Sequence, residues 1–381
     1  MATAFLNARV LTDGGFAEGL AVLVEGDRIV ALVGEREIPS GAGRVDLAGE
    51  ILAPGFVDVQ VNGGGGVLFN DAPTVETIAA IGRAHRAFGT TGFLPTLISD
   101  DLSVVREGIA AVDTAIAAGV PGVLGIHIEG PYLNSSRKGI HDSSKIRELD
   151  EQGLKALTGL RHGRTLVTLA PERTTVAMIR RLADAGTIVS AGHSNGRYEE
   201  IRAALDSGLA GFTHLFNAMS PLRNREPGAV GAALEDRASW CGLIVDGRHV
   251  HPAAMRLALR CKGAERIMLV TDAMPSVGLE EKDFMLQGRQ IRVEDGVCVT
   301  EDGTLAGSDL DMAMAVRNAI AMLDVDAPTA LAMASLHPAE FLRLDRIYGR
   351  IAPGLRASLV ALDGELHVTR TWIDGVECDA G

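Results

Sequence analysis

The chain has 381 residues, with 49 acidic side chains against 36 basic ones, a formal charge of −13 and 47% hydrophobic residues. This balance describes a core-forming globular protein and excludes fibrous and disordered classes. Its acidity argues against nucleic acid or an anionic membrane as a partner, because both repel it at long range.

Taken in chain order, residues 1–53 read as short alternating strands, "AFLNARVLT", "LAVLVEGDRIVALV" and "GRVDLAGEILAPG", broken by Gly, Asp and Pro turns. From Gly55 the texture changes to eight apolar runs: "GFVDVQVNG", "TGFLPTLIS", "GVLGIHIEG", "TLVTLAPE", "GTIVSAGHS", "AGFTHLFNAM", "CGLIVDG" and "RIMLVTDAM". Segments of helical period such as "TVETIAAIGRAHRAFG" separate them. Eight strands alternating with helices predict an α/β fold, a (β/α)8 barrel over residues 54–348, with its active site at the C-terminal strand ends. A doubly wound sheet is the alternative, but it would scatter the polar residues that end these runs. The last segment, "RIAPGLRASLVALDGELHVTRTWIDGVEC", alternates again and is expected to complete the first β unit, so residues 1–53 and 349–381 form one small domain. Gly63 to Gly66 do not fit G-x-G-x-x-G and are expected to form a mobile loop. Cys241, Cys261, Cys298 and Cys378 make no C-x-x-C pair and are expected to be reduced packing residues. No run approaches the ~18 apolar residues of a membrane span and no signal core opens the chain, so the expected compartment is the cytoplasm.

The period of a strand puts His127 and Glu129 of "GIHIEGP" on one face, toward the barrel axis. His193 ends the fifth run and His214 lies in the sixth. A Glu/His/His set with an open position suits a divalent metal of the hydrolytic kind. Asp272 ends the eighth run, where it can take a proton from an attacking water and return it to a leaving group; capping the next helix is the structural alternative. After the seventh run come Asp246, Arg248, His249 and His251, and one of these histidines can polarise a carbonyl. Arg137, Lys138 and His141 after the third run, with Arg223 and Arg225 after the sixth, gather positive charge suited to an anionic substrate, phosphate foremost. His85, His162 and His337 lie away from strand ends and are expected to be structural or exposed.

These residues, with "APGFVDVQVNG", "HIEGPYL", "KGIH", "AGHS", "THLFNAM", "REPG", "VTDAM" and "LAGS", make the chain resemble the N-acetylglucosamine-6-phosphate deacetylases of the amidohydrolase superfamily. The resemblance spans essentially the whole chain. It implies a (β/α)8 barrel with a small β-sandwich, a homodimer, and hydrolysis of the acetamide of N-acetylglucosamine 6-phosphate to glucosamine 6-phosphate and acetate. Carried over residue by residue, it implies Glu129, His193 and His214 as metal ligands, Asp272 as the catalytic acid/base and His249 as the group that steadies the acetamide carbonyl. It further implies substrate contacts from Ile140, His141, Asn217, Ala218, Leu305, Ala306 and Gly307, and from Arg225, which would reach across a dimer interface. Many amidohydrolases carry H-x-H on the first strand and bind two metals. Here the pattern is Gln60-x-Asn62, whose amides are weak ligands, so one divalent ion per subunit is expected, with zinc ahead of iron, manganese or cobalt and Gln60 and Asn62 as a remnant of a second site. N-acetylgalactosamine 6-phosphate or another amide is the alternative substrate.

Overall fold

The computed structural model describes residues 2–378, so Met1 and residues 379–381 of the expected small domain lie outside it. The eight apolar runs all become parallel strands of one sheet: β1 (Phe56–Val61), β2 (Thr90–Ile98), β3 (Gly125–Glu129), β4 (Arg164–Leu169), β5 (Ile188–Ala191), β6 (Leu209–Phe212), β7 (Trp240–Leu243) and β8 (Ile267–Leu269). They neighbour one another in sequence order. A helix follows each strand, from Val75–Arg86 after β1 to Met312–Leu323 after β8, and the two faces thus covered explain the near-continuous burial of the strands. Beyond β8 the chain returns to β1: Asp272 N–H donates to Gln60 O at 3.0 Å and Asn62 N–H to Ala273 O at 2.9 Å, which closes the barrel.

At this seam Asp58 is fully buried and accepts bonds from Thr271 Oγ1 at 2.5 Å and from Gln60 N–H at 3.2 Å. Burial pushes its carboxyl up to about 7 despite these donors. The Thr271 bond pins the end of β8 against β1.

Both chain ends meet in a six-stranded sheet in which Leu359–Leu362 pairs with Ile51–Pro54 and Val368–Ile373 lies outside it. A four-stranded sheet from residues 3–46 faces it, with Phe5, Val22, Ile29, Leu52, Leu359 and Trp372 between them. Phe5 meets Trp372 edge to face at 5.0 Å. The chain passes from this sheet into β1 through Gly55, where a Cβ would stand 2.2 Å from the Thr91 side chain, so no larger residue fits that crossing.

Three sequence expectations need correction. The Gly63–Gly66 run is no mobile loop: Gly63–Gly64 pairs with Val67–Leu68, and Gly65 and Gly66 donate to the carbonyls of Val277 and Pro275. His85 Nε2 holds the Gly63 carbonyl at 2.9 Å and would lie 2.8 Å from a Cβ on Gly64, so the glycines serve close packing. Second, residues 284–308, expected as barrel, form a four-stranded antiparallel sheet between β8 and Met312–Leu323. Its hairpins turn at Gln287-Gly288 and Asp295-Gly296, all four with positive φ, as a type I′ turn requires. The X-Gly signal stood in the sequence, but the strands are too short and mixed to stand out. Third, of the four cysteines expected as packing residues only Cys241 and Cys298 are buried; Cys378 is half-buried and Cys261 is exposed.

Candidate active site

Strand ends bring Glu129, His193, His214 and Asp272 to one mouth. Alternation along β3 buries Ile126 and Ile128 outward and turns His127 and Glu129 inward. His193, His214 and Asp272 each leave their strand with positive φ, at 48°, 34° and 53°. That conformation is costly for residues with a Cβ and persists where surrounding structure imposes it, as at functional sites. It turns the chain sharply so that each side chain looks back over the barrel.

His193 Nε2 and His214 Nε2 lie 3.1 Å and 2.9 Å from the same oxygen, Glu129 Oε1, and 3.1 Å from one another. Among the described residues this is the group of side chains placed to hold a metal ion. The donor chemistry fits. His193 Nδ1 donates to the Arg137 carbonyl at 2.8 Å, which leaves its Nε2 with a lone pair aimed at a carboxylate oxygen and a second imidazole nitrogen. A lone pair and an anion converging in a buried place repel unless a cation or a hydrogen lies between them, and the second imidazole nitrogen adds a further donor atom for a cation. Burial opposes the charge on Glu129, but the two adjacent imidazoles outweigh it and hold the carboxyl well below its ordinary range.

The other oxygen of Glu129 faces the opposite side. Gln60 Nε2 donates to Glu129 Oε2 at 3.1 Å and to Asp272 Oδ1 at 3.1 Å, and Asn62 Nδ2 donates to the same Asp272 oxygen at 2.7 Å. Burial, then the charge of Glu129, pushes the Asp272 carboxyl up from its ordinary value, as a group that must take up and release a proton requires. Asp272 therefore does not cap a helix; Asp311 caps Met312–Leu323.

Below the ligands runs a buried polar row. His127 Nε2 bonds Thr168 Oγ1 at 2.8 Å, Thr168 bonds Thr213 at 2.6 Å, and His127 Nδ1 lies 3.3 Å from Thr96 Oγ1. Burial pushes His127 down to about 4, so it is a neutral spacer between threonines and makes no hydrogen bond to Glu129.

Above the ligands opens a cavity of about 360 Å³, within the ordinary range for small-molecule sites. Its lining includes Asn62, Ile140, His141, Asn217, Ala218, His249, Leu305, Ala306 and Gly307. Leu305–Ser308 reaches it because Ser308 N–H donates to Asp272 O and Met274 N–H to Ser308 O, so the inserted sheet is stitched to the end of β8. His141 Nδ1 accepts from Ser99 N–H at 3.1 Å, which places its hydrogen on Nε2; burial and the neighbouring His193 push the ring down to about 3. His249 Nδ1 is held by Asp246 Oδ2 at 2.6 Å, leaving Nε2 without a partner among the described residues. Burial would raise Asp246, but this ring and two backbone N–H groups lower it.

Gln60 lies beneath the lining, and Arg225 does not reach it: Arg223 and Arg225 are exposed on the loop after β6. His251 caps Pro252–Lys262, while His162 pairs with Asp113 and His337 with the Ile267 carbonyl. The sequence reading missed Ile98, Ser136, Ile244, Met274 and Thr304 in the lining and Asp58 and Glu172 outside it, and it named Asp246 without giving it a role. The D-x-x-H spacing of Asp246 and His249 was a usable signal; the apolar wall carried none.

The model of the Amidohydrolase family matches residues 51–379. The chain belongs to this family. It is 42% identical over 371 residues to N-acetylgalactosamine-6-phosphate deacetylase of Shewanella sp. (strain ANA-3), covering 97% of this chain and 94% of that one. The crystal structure of N-acetylglucosamine-6-phosphate deacetylase from Pasteurella multocida superposes with a TM-score of 0.96 at 34% identity, covering 99% and 100% of the two chains. An aspartate-to-alanine variant of the Mycobacterium smegmatis N-acetyl-D-glucosamine-6-phosphate deacetylase, in complex with N-acetyl-D-glucosamine 6-phosphate, superposes with a TM-score of 0.90 at 34% identity over 99% of both chains. Among the described residues of this amidohydrolase no helix is long and apolar enough to cross a membrane.

Proposed function

We propose that this amidohydrolase removes the acetyl group of N-acetylglucosamine 6-phosphate, giving glucosamine 6-phosphate and acetate. The observation that carries the reading is the meeting of Glu129, His193 and His214 with Asp272 under one cavity. A single divalent ion, zinc first, held by Glu129, His193 and His214 would supply Lewis acidity toward water and the acetamide oxygen.

The chain's own residues do the rest. Asp272 takes the proton of the attacking water and returns it to the amide nitrogen as the C–N bond breaks. Asn62 and Gln60 hold the Asp272 carboxylate in place. Asp246 holds His249 so that Nε2 shares a proton with the acetamide oxygen as charge develops there. His141 offers its Nε2–H to the sugar, and Ile140, Asn217, Ala218 and residues 305–307 shape the cavity around it. Arg225, exposed and outside the cavity of its own chain, serves the partner's cavity in a cytoplasmic homodimer. Residues 2–53 and 349–378 act as one supporting domain.

The 42% identity to an N-acetylgalactosamine-6-phosphate deacetylase favours one second reading, the galacto epimer. The test is acetate release by metal-stripped protein reloaded with zinc, iron, manganese or cobalt, from both phosphorylated epimers and from unphosphorylated N-acetylglucosamine. Metal-dependent turnover highest on N-acetylglucosamine 6-phosphate is expected. A higher rate on the galacto epimer overturns the gluco assignment, and no acetate from any of them overturns the deacetylase reading.

A further inference from the structure

Five side chains in the loops around the mouth are cationic by sequence or protonation, but the fold sorts them. Lys138 turns its Nζ to the carbonyls of Gly139 and His141, and Arg223 and Arg225 are exposed away from the lining. His141 is buried with its Nδ1 held by the Ser99 N–H and hydroxyl. Arg137 is the lysine or arginine that lines the cavity. Its Nε donates to Asn195 Oδ1 at 3.0 Å, and its two terminal nitrogens bond nothing among the described residues. A guanidinium tethered at Nε presents a planar pair of N–H groups, the shape that grips a phosphate with two parallel bonds.

The same residue touches the metal-binding group from its main chain. The Arg137 carbonyl accepts the hydrogen of His193 Nδ1 at 2.8 Å, so side chain and backbone of one residue join the cavity mouth to a ligand. Glu172, at the end of β4, holds this arrangement. Its Oε1 accepts from Asn134 Nδ2 at 2.9 Å and from Asn195 N–H at 2.7 Å, and its Oε2 from Ser194 Oγ at 2.7 Å. Asn134 N–H closes the ring by donating to the His193 carbonyl at 3.0 Å. One carboxylate thus clamps the loop after β3, which carries Arg137, to the loop after β5, which carries His193 and Asn195.

We propose that Arg137 is this chain's own anchor for the phosphate of the substrate, and that Glu172 is the positioning residue that holds it against the His193 loop. This rests on the deacetylase reading above. Phosphate gripped by Arg137 bears on the same main chain that orients His193, so binding energy from the remote end of the sugar is used at the reacting carbonyl. Removal of the phosphate then lowers kcat as well as raising KM.

The experiment compares zinc-loaded wild type, Arg137→Ala, Arg137→Lys and Glu172→Gln, each with N-acetylglucosamine 6-phosphate and with N-acetylglucosamine. Arg137→Ala is expected to cut the preference for the phosphorylated sugar, read as the ratio of kcat/KM values, by about tenfold to a hundredfold, the worth of charge-assisted hydrogen bonds. Arg137→Lys recovers part of that ratio, since a lysine keeps the charge and loses the fork. Glu172→Gln loses one acceptor and shifts the ratio the same way by a smaller factor. Arg137→Ala with the wild-type ratio overturns the anchor; Glu172→Gln slowing both sugars equally overturns the positioning role and leaves a structural one. Calorimetric affinity for glucosamine 6-phosphate reads the anchor without turnover, and equal affinity in wild type and Arg137→Ala overturns it even if wild type releases no acetate, a result that separately sinks the deacetylase reading.

Discussion

Two sides of the barrel mouth handle the same problem in different ways. On one, Glu129 Oε1 faces two imidazole nitrogens at 2.9 and 3.1 Å; on the other, Glu129 Oε2 and Asp272 share the amide hydrogens of Gln60 and Asn62 at 2.7 to 3.1 Å. Imidazole offers lone pairs and leaves negative charge for a cation to balance. Amide nitrogen offers hydrogens and does the balancing itself. The functional group presented at each side decides where an ion can sit.

The largest effect should come from metal removal. Exhaustive chelation is expected to abolish acetate release, and metal analysis of reactivated protein to give one ion per chain; two ions per chain would mean that the amide side also binds and would erase the contrast. Next is Asp272→Asn, expected to lower turnover by about 10² to 10⁴ with metal content unchanged, because a proton carrier is lost and the ligands are not. Retained activity would remove Asp272 from the mechanism. Gln60→Leu sharpens the comparison from the other side. Two buried carboxylates lose a shared donor, and kcat should fall about tenfold while metal content holds. Unchanged kcat would show that the amide bonds matter only for packing.

The smallest expected effect concerns stability behind the amide side, where His85 supports the glycine hairpin. Burial lowers this ring from 6.5 to about 4, although the Gly63 carbonyl opposes the shift. A depressed folded value means that the unfolded chain takes up the proton first, so this stability is present above pH ~6.5 and is lost as pH falls toward ~4. Urea unfolding of apoprotein over that window should show a pH slope that is shallower in His85→Gln, by no more than about 3 kcal/mol in total. Identical slopes would place His85 in solvent contact.

Periodicity made the barrel legible. All eight apolar runs became its strands in order, because a parallel strand covered by helices must be apolar on both faces and is read as such in one dimension. The strand-end rule likewise exposed Glu129, His193, His214 and Asp272, since a polar residue closing an apolar run has few other reasons to be there. The inserted sheet of residues 284–308 escaped because three- to six-residue strands resemble loop until their partners are known. The glycine run escaped for a related reason. Glycine marks either freedom or close approach, and only the neighbours Gly63 and Gly64 meet, His85 and Pro275, show that here it is close approach.

By itself, then, the sequence determined which residue types end which strands, and with them the barrel and the chemistry it can support, because these depend on local pattern and side-chain type. The tertiary structure alone decided which cations face the cavity, that Gln60 and Asn62 brace Asp272, and that Glu172 ties two loops together. Those are relations between residues up to about two hundred positions apart in sequence, fixed by how far side chains reach once the barrel has closed, and no one-dimensional pattern carries a distance.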